Sequence, residues 1–363
     1  MCSKIRLLKA NPLTGYNTTS FLSRSEISFS MQMFPFVARF DIMINHNDHR
    51  RCKRMSVFST RYIVDGLSHP LFVRQWLPEG EVKGLVQICH GMAEHSARYA
   101  RLGEFLAGHG YAVFCHDHRG HGETCGDRET KGFFSEDGGW DLLVSDAEAL
   151  GKLMREEIKE GRFILFGHSM GSLIVSDMAA LGRGTQYDAF VLCGSPAPNP
   201  GAAAGKTMAA GIMHMGLGKK PSSVINSIAF GGYNKHFADE KDPFSWLTRD
   251  KSVREAYERD PNCGFLFTAA GFYALFDGIC RVRSDEWALR TECKPFLVIS
   301  GGEDPVGNYG QAVDWIRDQL QQQGRDVTAI GYPGMRHEIL NELDNDKVYD
   351  DILQWMDEVS VNG

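Results

Sequence analysis

The sequence lacks the features that mark several large classes of protein. No apolar run in its 363 residues is long enough to span a membrane. The first residues do not have the pattern of a secretory signal peptide, because no apolar stretch follows the charged start. Its nine cysteines include no C-x-x-C pair, and Cys89, Cys115 and Cys193 lie within apolar runs. We therefore expect buried thiols rather than a disulfide framework, in a reducing, cytoplasmic compartment.

Excess positive charge and nucleotide-binding loops are also missing. The net charge of -7 argues against nucleic acid as a partner. The chain contains neither a phosphate loop of the G-x-x-x-x-G-K-[ST] form nor a G-x-G-x-x-G dinucleotide fingerprint. We expect no nucleic-acid partner and no cofactor.

Residues 1–54 differ from the rest of the chain in charge and pattern. They hold nine basic and three acidic residues, a net charge of +6, whereas the remainder carries -13, and they show no hydrophobic period. We interpret this segment as a disordered extension, or as the product of a start placed too early with Met55 as the natural first residue. A basic, acid-poor transit peptide is a further alternative.

Strand and helix patterns alternate from Met55 onward, so residues 55–363 are expected to form one domain. The first two strands are joined through Asp65-Gly66, a hairpin signal. The predicted strands are Phe58–Val64, Leu71–Trp76, Gly84–Cys89, Tyr111–Cys115, Phe163–Phe166, Ala189–Cys193, Pro295–Ser300 and Val327–Tyr332. The predicted helices are Ala97–Ala107, Trp140–Lys159, one following Gly171, Gln311–Gln322 and Asp346–Val359. Such alternation predicts a mostly parallel sheet covered by helices on both faces.

Residues 199–285 break this alternation. They are first rich in glycine and alanine, with three methionines, and then rich in aromatic residues. We interpret them as a helical cap inserted into the sheet domain, with methionine and aromatic side chains facing a pocket. The alternative is that most of these side chains only pack the interior of the cap. Its eleven basic and nine acidic residues give a net charge of +2 on an otherwise acidic body.

A Gly-X-Ser-X-Gly motif follows the apolar run Phe163–Phe166 and precedes a helical pattern. A strand, a sharp turn and a helix would hold Ser169 at the tip of the turn, where its hydroxyl is exposed above the sheet. Gly167 and Gly171 would allow the chain to bend so tightly. Ser169 is therefore the candidate nucleophile, whereas an ordinary turn is the alternative.

Serine is a weak nucleophile at neutral pH and needs a base that is itself oriented by a third group. In α/β-hydrolase order an acid and then a histidine follow the serine, each after a late strand. Asp304 follows Pro295–Ser300, and His337 follows Val327–Tyr332. The Asp-Pro-Val context favours Asp304 over Glu303. Oxyanion donors are expected from the backbone N–H groups of Met170 and Met92.

Histidine is dense in the segment His116–His121, which invites a zinc-site interpretation. Its order does not fit the His-X-His-X-Asp-His pattern of metallo-hydrolases, because Asp117 lies between the first two histidines. We expect no metal there. Asp117 and His121 are instead expected to hydrogen-bond backbone groups near the active site.

Four of these motifs together resemble one family. The segment His90–Tyr99 resembles the HGxxEHSxRY signature of monoacylglycerol lipases and bacterial lysophospholipase-like hydrolases, a group whose domain is often labelled serine aminopeptidase S33. The segments Asp117–Gly122, Gly167–Gly171 and Asp304–Gly307 are similar to the same group. The resemblance covers Ser56 to Val359, and it implies an α/β-hydrolase fold with an inserted helical cap. It also implies a triad of Ser169, Asp304 and His337, with oxyanion donors at Met92 and Met170.

Residues and resemblance together predict a serine ester hydrolase that acts on a monoacylglycerol or a lysophospholipid through an acyl-enzyme. The expected partner is a small amphiphilic ester, and the cap is expected to contact membranes or micelles transiently. One departure from the family pattern is Met92-Ala93, where small residues are more usual, so that Met92 narrows the pocket mouth. An S33-type aminopeptidase and a catalytically silent binding protein on the same fold are the alternatives. Substrate-binding residues and oligomeric state do not follow from the sequence.

Overall fold

The computed structural model describes residues 56–361 except residues 65, 128 and 129, together with the backbone of four short strands between residues 6 and 42. These strands are β1 (Arg6–Lys9), β2 (Thr18–Phe21), β3 (Ser30–Phe34) and β4 (Val37–Ile42). Most of residues 1–54 lies outside the described residues. The interpretation of that segment as an extension therefore stays a prediction.

The centre of the molecule is a twisted sheet whose inner strands are parallel. It contains β3 and β4 together with eight further strands. These are β5 (Ser56–Ile63), β6 (Leu71–Pro78), β7 (Gly84–Cys89), β8 (Tyr111–His116), β9 (Arg162–His168), β10 (Ala189–Cys193), β11 (Phe296–Gly301) and β12 (Val327–Tyr332). The order is β12-β11-β10-β9-β7-β8-β6-β5-β4-β3, while β1 and β2 pair separately. From β12 to β8 all neighbours are parallel, and the strands beyond β8 are antiparallel.

Helices connect the parallel strands and cover both faces of the sheet. They are α1 (Ala100–Gly108), α2 (Gly122–Cys125), α3 (Gly139–Glu157), α4 (Met170–Ala180), α5 (Ala202–Ile212), α6 (Ser223–Phe230), α7 (Lys251–Arg259), α8 (Ala269–Val282), α9 (Gln311–Gln322) and α10 (Asn345–Val361). Short 3₁₀ turns cover Ser96–Tyr99, Lys235–Glu240, Ala288–Arg290 and Ile339–Asn341, and a π turn covers Met213–Leu217.

The sheet separates two hydrophobic cores because successive side chains of a strand point to opposite faces. In β7, Leu85 and Cys89 belong to the core that also contains residues of α3, α4 and α9, whereas Val86 and Ile88 belong to the core that contains residues of α1 and α10. Every residue of β7 is buried. Burial on both faces explains why the inner strands read as continuous apolar runs in the sequence.

The helices α5 to α8 lie between β10 and β11 and form the cap. Its last helix is also part of the main body, because α8 packs against α3 and α4. At Gly278 a β-carbon would lie 2.5 Å from the indole of Trp140, so the two helices touch at the backbone of α8. The Trp140 Nε1–H in turn donates to Asp177 of α4 at 2.7 Å. The cap is therefore anchored at its C-terminal helix.

The predicted fold class is confirmed, and the ends of the predicted strands and helices lie within three residues of the observed ends. Four elements are identical in prediction and structure, namely Gly84–Cys89, Ala189–Cys193, Gln311–Gln322 and Val327–Tyr332. The predicted hairpin of β5 and β6 is an antiparallel pair, but its connection covers residues 64–70 and is wider than a two-residue turn. The helix predicted from Ala97 begins as a 3₁₀ turn and becomes α-helical at Ala100. No helix in the described part of the chain is both long and apolar enough to cross a membrane.

Candidate active site

Ser169 lies at the bend between β9 and α4, as its motif predicts. Its φ is +53°, a left-handed conformation that is unusual for a residue other than glycine. The turn is held by a hydrogen bond from the Ser169 N–H to the Cys193 carbonyl at 2.9 Å. Side chains at Gly167 and Gly171 would collide with the backbone carbonyls of Gly171 and Cys89, respectively. Only glycine at both positions lets the strand and helix pack this closely.

His337 and Asp304 lie beside Ser169 in the order that the sequence predicts. The Ser169 Oγ is 3.0 Å from His337 Nε2, and His337 Nδ1 is 3.0 Å from each carboxylate oxygen of Asp304. Asp304 is fully buried and also accepts hydrogen bonds from the Ser300 hydroxyl at 3.0 Å and the Val306 N–H at 2.9 Å. Asp304, rather than Glu303, is thus the carboxylate that contacts His337.

The predicted oxyanion donors belong to segments that adjoin Ser169. Met170 is the first residue of α4, where backbone N–H groups have no partner inside the helix. Met92 belongs to the loop after β7, and this loop packs directly on Ser169: a β-carbon at Gly91 would lie 3.2 Å from that of Ser169. Met92 and Met170 both line the cleft that contains Ser169. The arrangement can stabilise a negative charge that develops above the serine.

A buried ionic network holds the Met92 loop and was not assigned a role from the sequence. Glu94 accepts hydrogen bonds from the Gly91 N–H at 2.6 Å, the Tyr99 hydroxyl at 2.8 Å and Arg98 at 2.7 Å. Its Oε1 also lies 3.4 Å from His168 Nδ1. Burial alone would raise the pKa of Glu94, but His168 and Arg98 outweigh it and hold the pKa below its ordinary value. Glu94 is thus an anion that fixes the backbone next to Met92.

The same network extends to the loop that carries His337. Arg98 binds Glu338 through two hydrogen bonds of 2.6 Å, and Glu338 directly follows His337 in the chain. Burial opposes the charge of His168, but the hydrogen bond and negative charge of Glu94 raise the pKa of His168. Glu94 and Arg98 are part of the signature in His90–Tyr99. Their partner Glu338 lies 240 residues from Arg98, so only the fold brings the three together.

The histidine-rich loop lies under the site and contacts the backbone, as predicted. Asp117 accepts hydrogen bonds from the N–H groups of Ser96 and Glu123, both at 2.8 Å. His121 accepts from the Ala93 N–H at 3.3 Å. Burial lowers the pKa of both His116 and His121 to about 4.

The Ser169 hydroxyl opens into a cleft of about 310 Å³ between the sheet domain and the cap. Its lining is mainly aromatic and aliphatic. The apolar lining includes Met92, Phe230, Tyr233, Phe244, Trp246, Leu247, Phe265, Leu275 and Ile279. The expectation that cap methionines face the pocket is wrong for Met208 and Met215, which are exposed to solvent. The methionines that line the cleft are Met92 and Met170, which belong to the main body.

Comparison with known proteins gives consistent matches over most of the chain. Residues 80–344 match the model of the family described as "Serine aminopeptidase, S33". The chain is 30% identical to a monoacylglycerol lipase of Mycolicibacterium smegmatis over 284 residues, which are 77% of this chain and 90% of that protein. It is 28% identical to the human monoglyceride lipase over 303 residues, covering 81% of this chain and 89% of the relative.

Among solved structures, a thermostable carboxyl esterase from Bacillus coagulans, crystallised with glycerol, superposes with a TM-score of 0.78 at 27% identity. The superposition covers 83% of this chain and 98% of the esterase.

Proposed function

The chain belongs to the serine aminopeptidase S33 family of α/β-hydrolases, and from this premise we propose that it hydrolyses carboxylic esters of lipid type. The observation that carries the proposal is the continuous chain of contacts from Ser169 through His337 to Asp304 at the floor of an apolar cleft. The substrates are monoacylglycerols or lysophospholipids. Relatives that cover most of the chain are monoacylglycerol and monoglyceride lipases, which supports this class.

The proposed reaction proceeds through an acyl-enzyme. His337 Nε2 takes the hydroxyl proton of Ser169 while Oγ attacks the acyl carbonyl, and Asp304 stabilises the imidazolium that forms. The N–H groups of Met92 and Met170 stabilise the oxyanion, and His337 then returns its proton to the leaving alcohol. Water repeats these steps on the acyl-serine. The mechanism uses only residues of this chain and requires no cofactor.

The aminopeptidase alternative requires a group that binds the free ammonium of an N-terminal residue. Among the described residues that line the cleft, the carboxylates are Glu94 and Glu338, and both form ion pairs with Arg98. Neither is available to an ammonium without breaking a buried ion pair, which is costly. The apolar lining instead suits an acyl chain, since each buried methylene contributes about 0.8 kcal/mol. A catalytically silent binding role would not require the contacts among all three triad residues.

The cap also supports the proposed contact with membranes or micelles. Apolar side chains on and around α6 are largely exposed, with Met215 and Ile228 each 67% exposed and Val224 62% exposed. Exposed apolar surface of this kind is found where proteins meet lipid. We expect Ile228→Ser together with Val224→Ser to reduce co-flotation with neutral lipid vesicles while hydrolysis of a monomeric ester is unchanged. Equal flotation of the variant and the unmodified chain would contradict this contact.

A cytoplasmic location remains part of the proposal. Within the described residues no disulfide joins two cysteines, and Cys89, Cys115 and Cys193 are buried as expected. Burial raises the pKa of the Cys89 thiol to about 12, so this residue is an inert part of the core. These features suit a reducing compartment.

The proposed substrate class is tested with p-nitrophenyl esters of increasing acyl length and with amino-acid anilides. We expect kcat/KM to rise from acetyl to octanoyl esters, by up to about fourfold per methylene while the chain is buried. Alanyl and prolyl anilides should be poor substrates. Faster cleavage of these anilides than of octanoyl esters would overturn the lipid assignment and leave the role of Ser169 intact.

A further inference from the structure

A second group of reactive side chains lies at the rim of the cleft, outside the contacts of Ser169. His95 follows the loop that carries Met92, while Asp260 and Cys263 lie in the connection between α7 and α8. Each offers one ligand atom, and the three atoms lie within 4.8 Å of one another. We propose that His95, Asp260 and Cys263 form a binding site for a divalent cation of the Zn²⁺ class.

The donor set matches the chemistry of this ion. Zn²⁺ binds imidazole nitrogen, carboxylate oxygen and cysteine sulfur at about 2.0–2.3 Å, so neighbouring ligand atoms in a tetrahedral site lie about 3.3–3.8 Å apart. His95 Nε2 and Asp260 Oδ2 are already 2.8 Å apart. The other two separations are at most 4.8 Å, so they must shorten by at most about 1.5 Å to reach this spacing. Hard ions such as Mg²⁺ prefer oxygen ligands and would not select a set that contains sulfur and nitrogen.

Local charge and access also favour a cation at this place. The nearby guanidinium of Arg98 is already paired with Glu94 and Glu338, and the Lys131 ammonium donates to the Pro261 carbonyl at 2.6 Å. The surroundings therefore hold three carboxylates, those of Glu94, Glu338 and Asp260, against two cations. The Asp260 side chain is 32% exposed, whereas that of His95 is 10% exposed. An ion can therefore enter from the side of Asp260, where water can fill the fourth position, as in zinc sites with three protein ligands.

A bound ion would join two segments that form the cleft. The Ala93 carbonyl, two residues before His95, accepts hydrogen bonds from the Gly264 N–H at 2.9 Å and the Tyr257 hydroxyl at 3.1 Å. Gly264 and Phe265 line the cleft, as does Met92. The ion would replace the direct hydrogen bond between His95 and Asp260 by metal bonds, and would so strengthen the connection between the Met92 loop and the cap. It takes no part in the proposed hydrolysis, so the site is independent of the proposed function.

The proposal is tested by metal binding to the full chain, kept reduced with a phosphine and first freed of metal with a chelator. Titration calorimetry and thermal unfolding are measured with ZnCl₂ and with MgCl₂. We expect one Zn²⁺ per chain and a rise in Tm with Zn²⁺ but not with Mg²⁺. His95→Gln and Cys263→Ser should each weaken Zn²⁺ binding by about 10- to 100-fold or more. Loss of a residue that is only hydrogen-bonded to a metal ligand already lowers affinity by this factor, and loss of the ligand itself costs at least as much. Cys293→Ser, which removes an exposed thiol elsewhere, is the matched control and should bind as the unmodified chain does.

Cobalt substitution gives a readout that does not depend on stability. A thiolate-to-cobalt charge-transfer band should appear in the unmodified chain and in Cys293→Ser, and should be missing in Cys263→Ser. The proposal is overturned if the chain binds no Zn²⁺, if Cys293→Ser removes the binding, or if His95→Gln leaves it unchanged. The last result would show that Zn²⁺ binds the Cys263 thiolate without His95.

Discussion

At the scale of single residues, the carboxylate of Asp304 has a role that an amide cannot take over. It is fully buried and faces the His337 Nδ1–H with both oxygens, which fixes the tautomer and orientation of the ring. We expect Asp304→Asn to fold and to lose about 10⁴-fold in kcat, since the amide favours the wrong tautomer. The measurement is steady-state hydrolysis of an octanoyl ester. Glu303→Gln is the neighbouring control, and an equal or larger loss in Glu303→Gln would show that the wrong acid has been assigned.

Glu94 is a positioning residue, because it holds the Gly91 N–H and thereby the backbone of Met92. Glu94→Ala should lower kcat by about 10²-fold, the scale of a misplacement of about 1 Å at a reacting centre. Glu94→Gln keeps an acceptor for the Gly91 N–H and should recover part of the loss. KM for the same ester should change little in both variants. If Glu94 only stabilises the fold, the rate should fall because fewer molecules are folded. The molecules that still react with a fluorophosphonate should then have the kcat of the unmodified chain.

At the scale of elements, the contact between α8 and α3 anchors the cap, and glycine is what permits it. Gly278→Ala would place a methyl group 2.5 Å from the Trp140 indole. We expect this change to lower the free energy of unfolding by about 1–3 kcal/mol, as overpacking of a core does. Gly211→Ala in α5 is the matched control, since nothing lies within 4 Å of its added carbon. The control should be neutral or stabilising by up to about 1 kcal/mol. Urea unfolding measures both, and equal effects would contradict the packing described for α8.

The elements could be predicted because their signals are local. Strands such as Ala189–Cys193 and Val327–Tyr332 are short apolar runs bounded by loops, and buried parallel strands require that composition. Asp304 and His337 could be identified because each directly follows such a strand. The motif around Ser169 predicts its own strand–turn–helix context, which the structure contains.

Contacts between distant segments could not be predicted in this way. The ion pair of Arg98 and Glu338 joins residues 240 positions apart, and the contact of His95 with Asp260 joins residues 165 apart. No local period encodes such pairs. The cap was the least predictable part, because a Met residue has the same apolar signal whether it lines a cleft, as Met92 does, or lies in solvent, as Met215 does.

At the scale of the whole molecule, the buried histidines make stability depend on pH. The pKa of His116 and His121 is about 4 in the folded chain, whereas the value for an exposed histidine is 6.5. Between these values the unfolded chain binds more protons, so stability is lost as pH falls from about 6.5 towards 4, by roughly 1.4 kcal/mol per pH unit for each histidine.

His116→Leu should reduce the slope of unfolding free energy against pH, because it removes one buried titrating group. His214→Gln, at a solvent-exposed position, is the control and should keep the slope of the unmodified chain. Urea unfolding at several values between pH 4 and 7 gives both slopes. An unchanged slope in His116→Leu would show that another group causes the acid sensitivity.

The central claim is that Ser169 is the nucleophile of an ester hydrolase, and covalent labelling tests it most directly. The full chain is treated with a fluorophosphonate that carries an octyl group, digested, and analysed by mass spectrometry to locate the adduct. We expect one adduct, on Ser169, in step with the loss of hydrolysis, and none in Ser169→Ala, whose kcat should fall by roughly 10⁴–10⁶-fold. Labelling at another residue, or hydrolysis by Ser169→Ala within tenfold of the unmodified chain, would contradict the account.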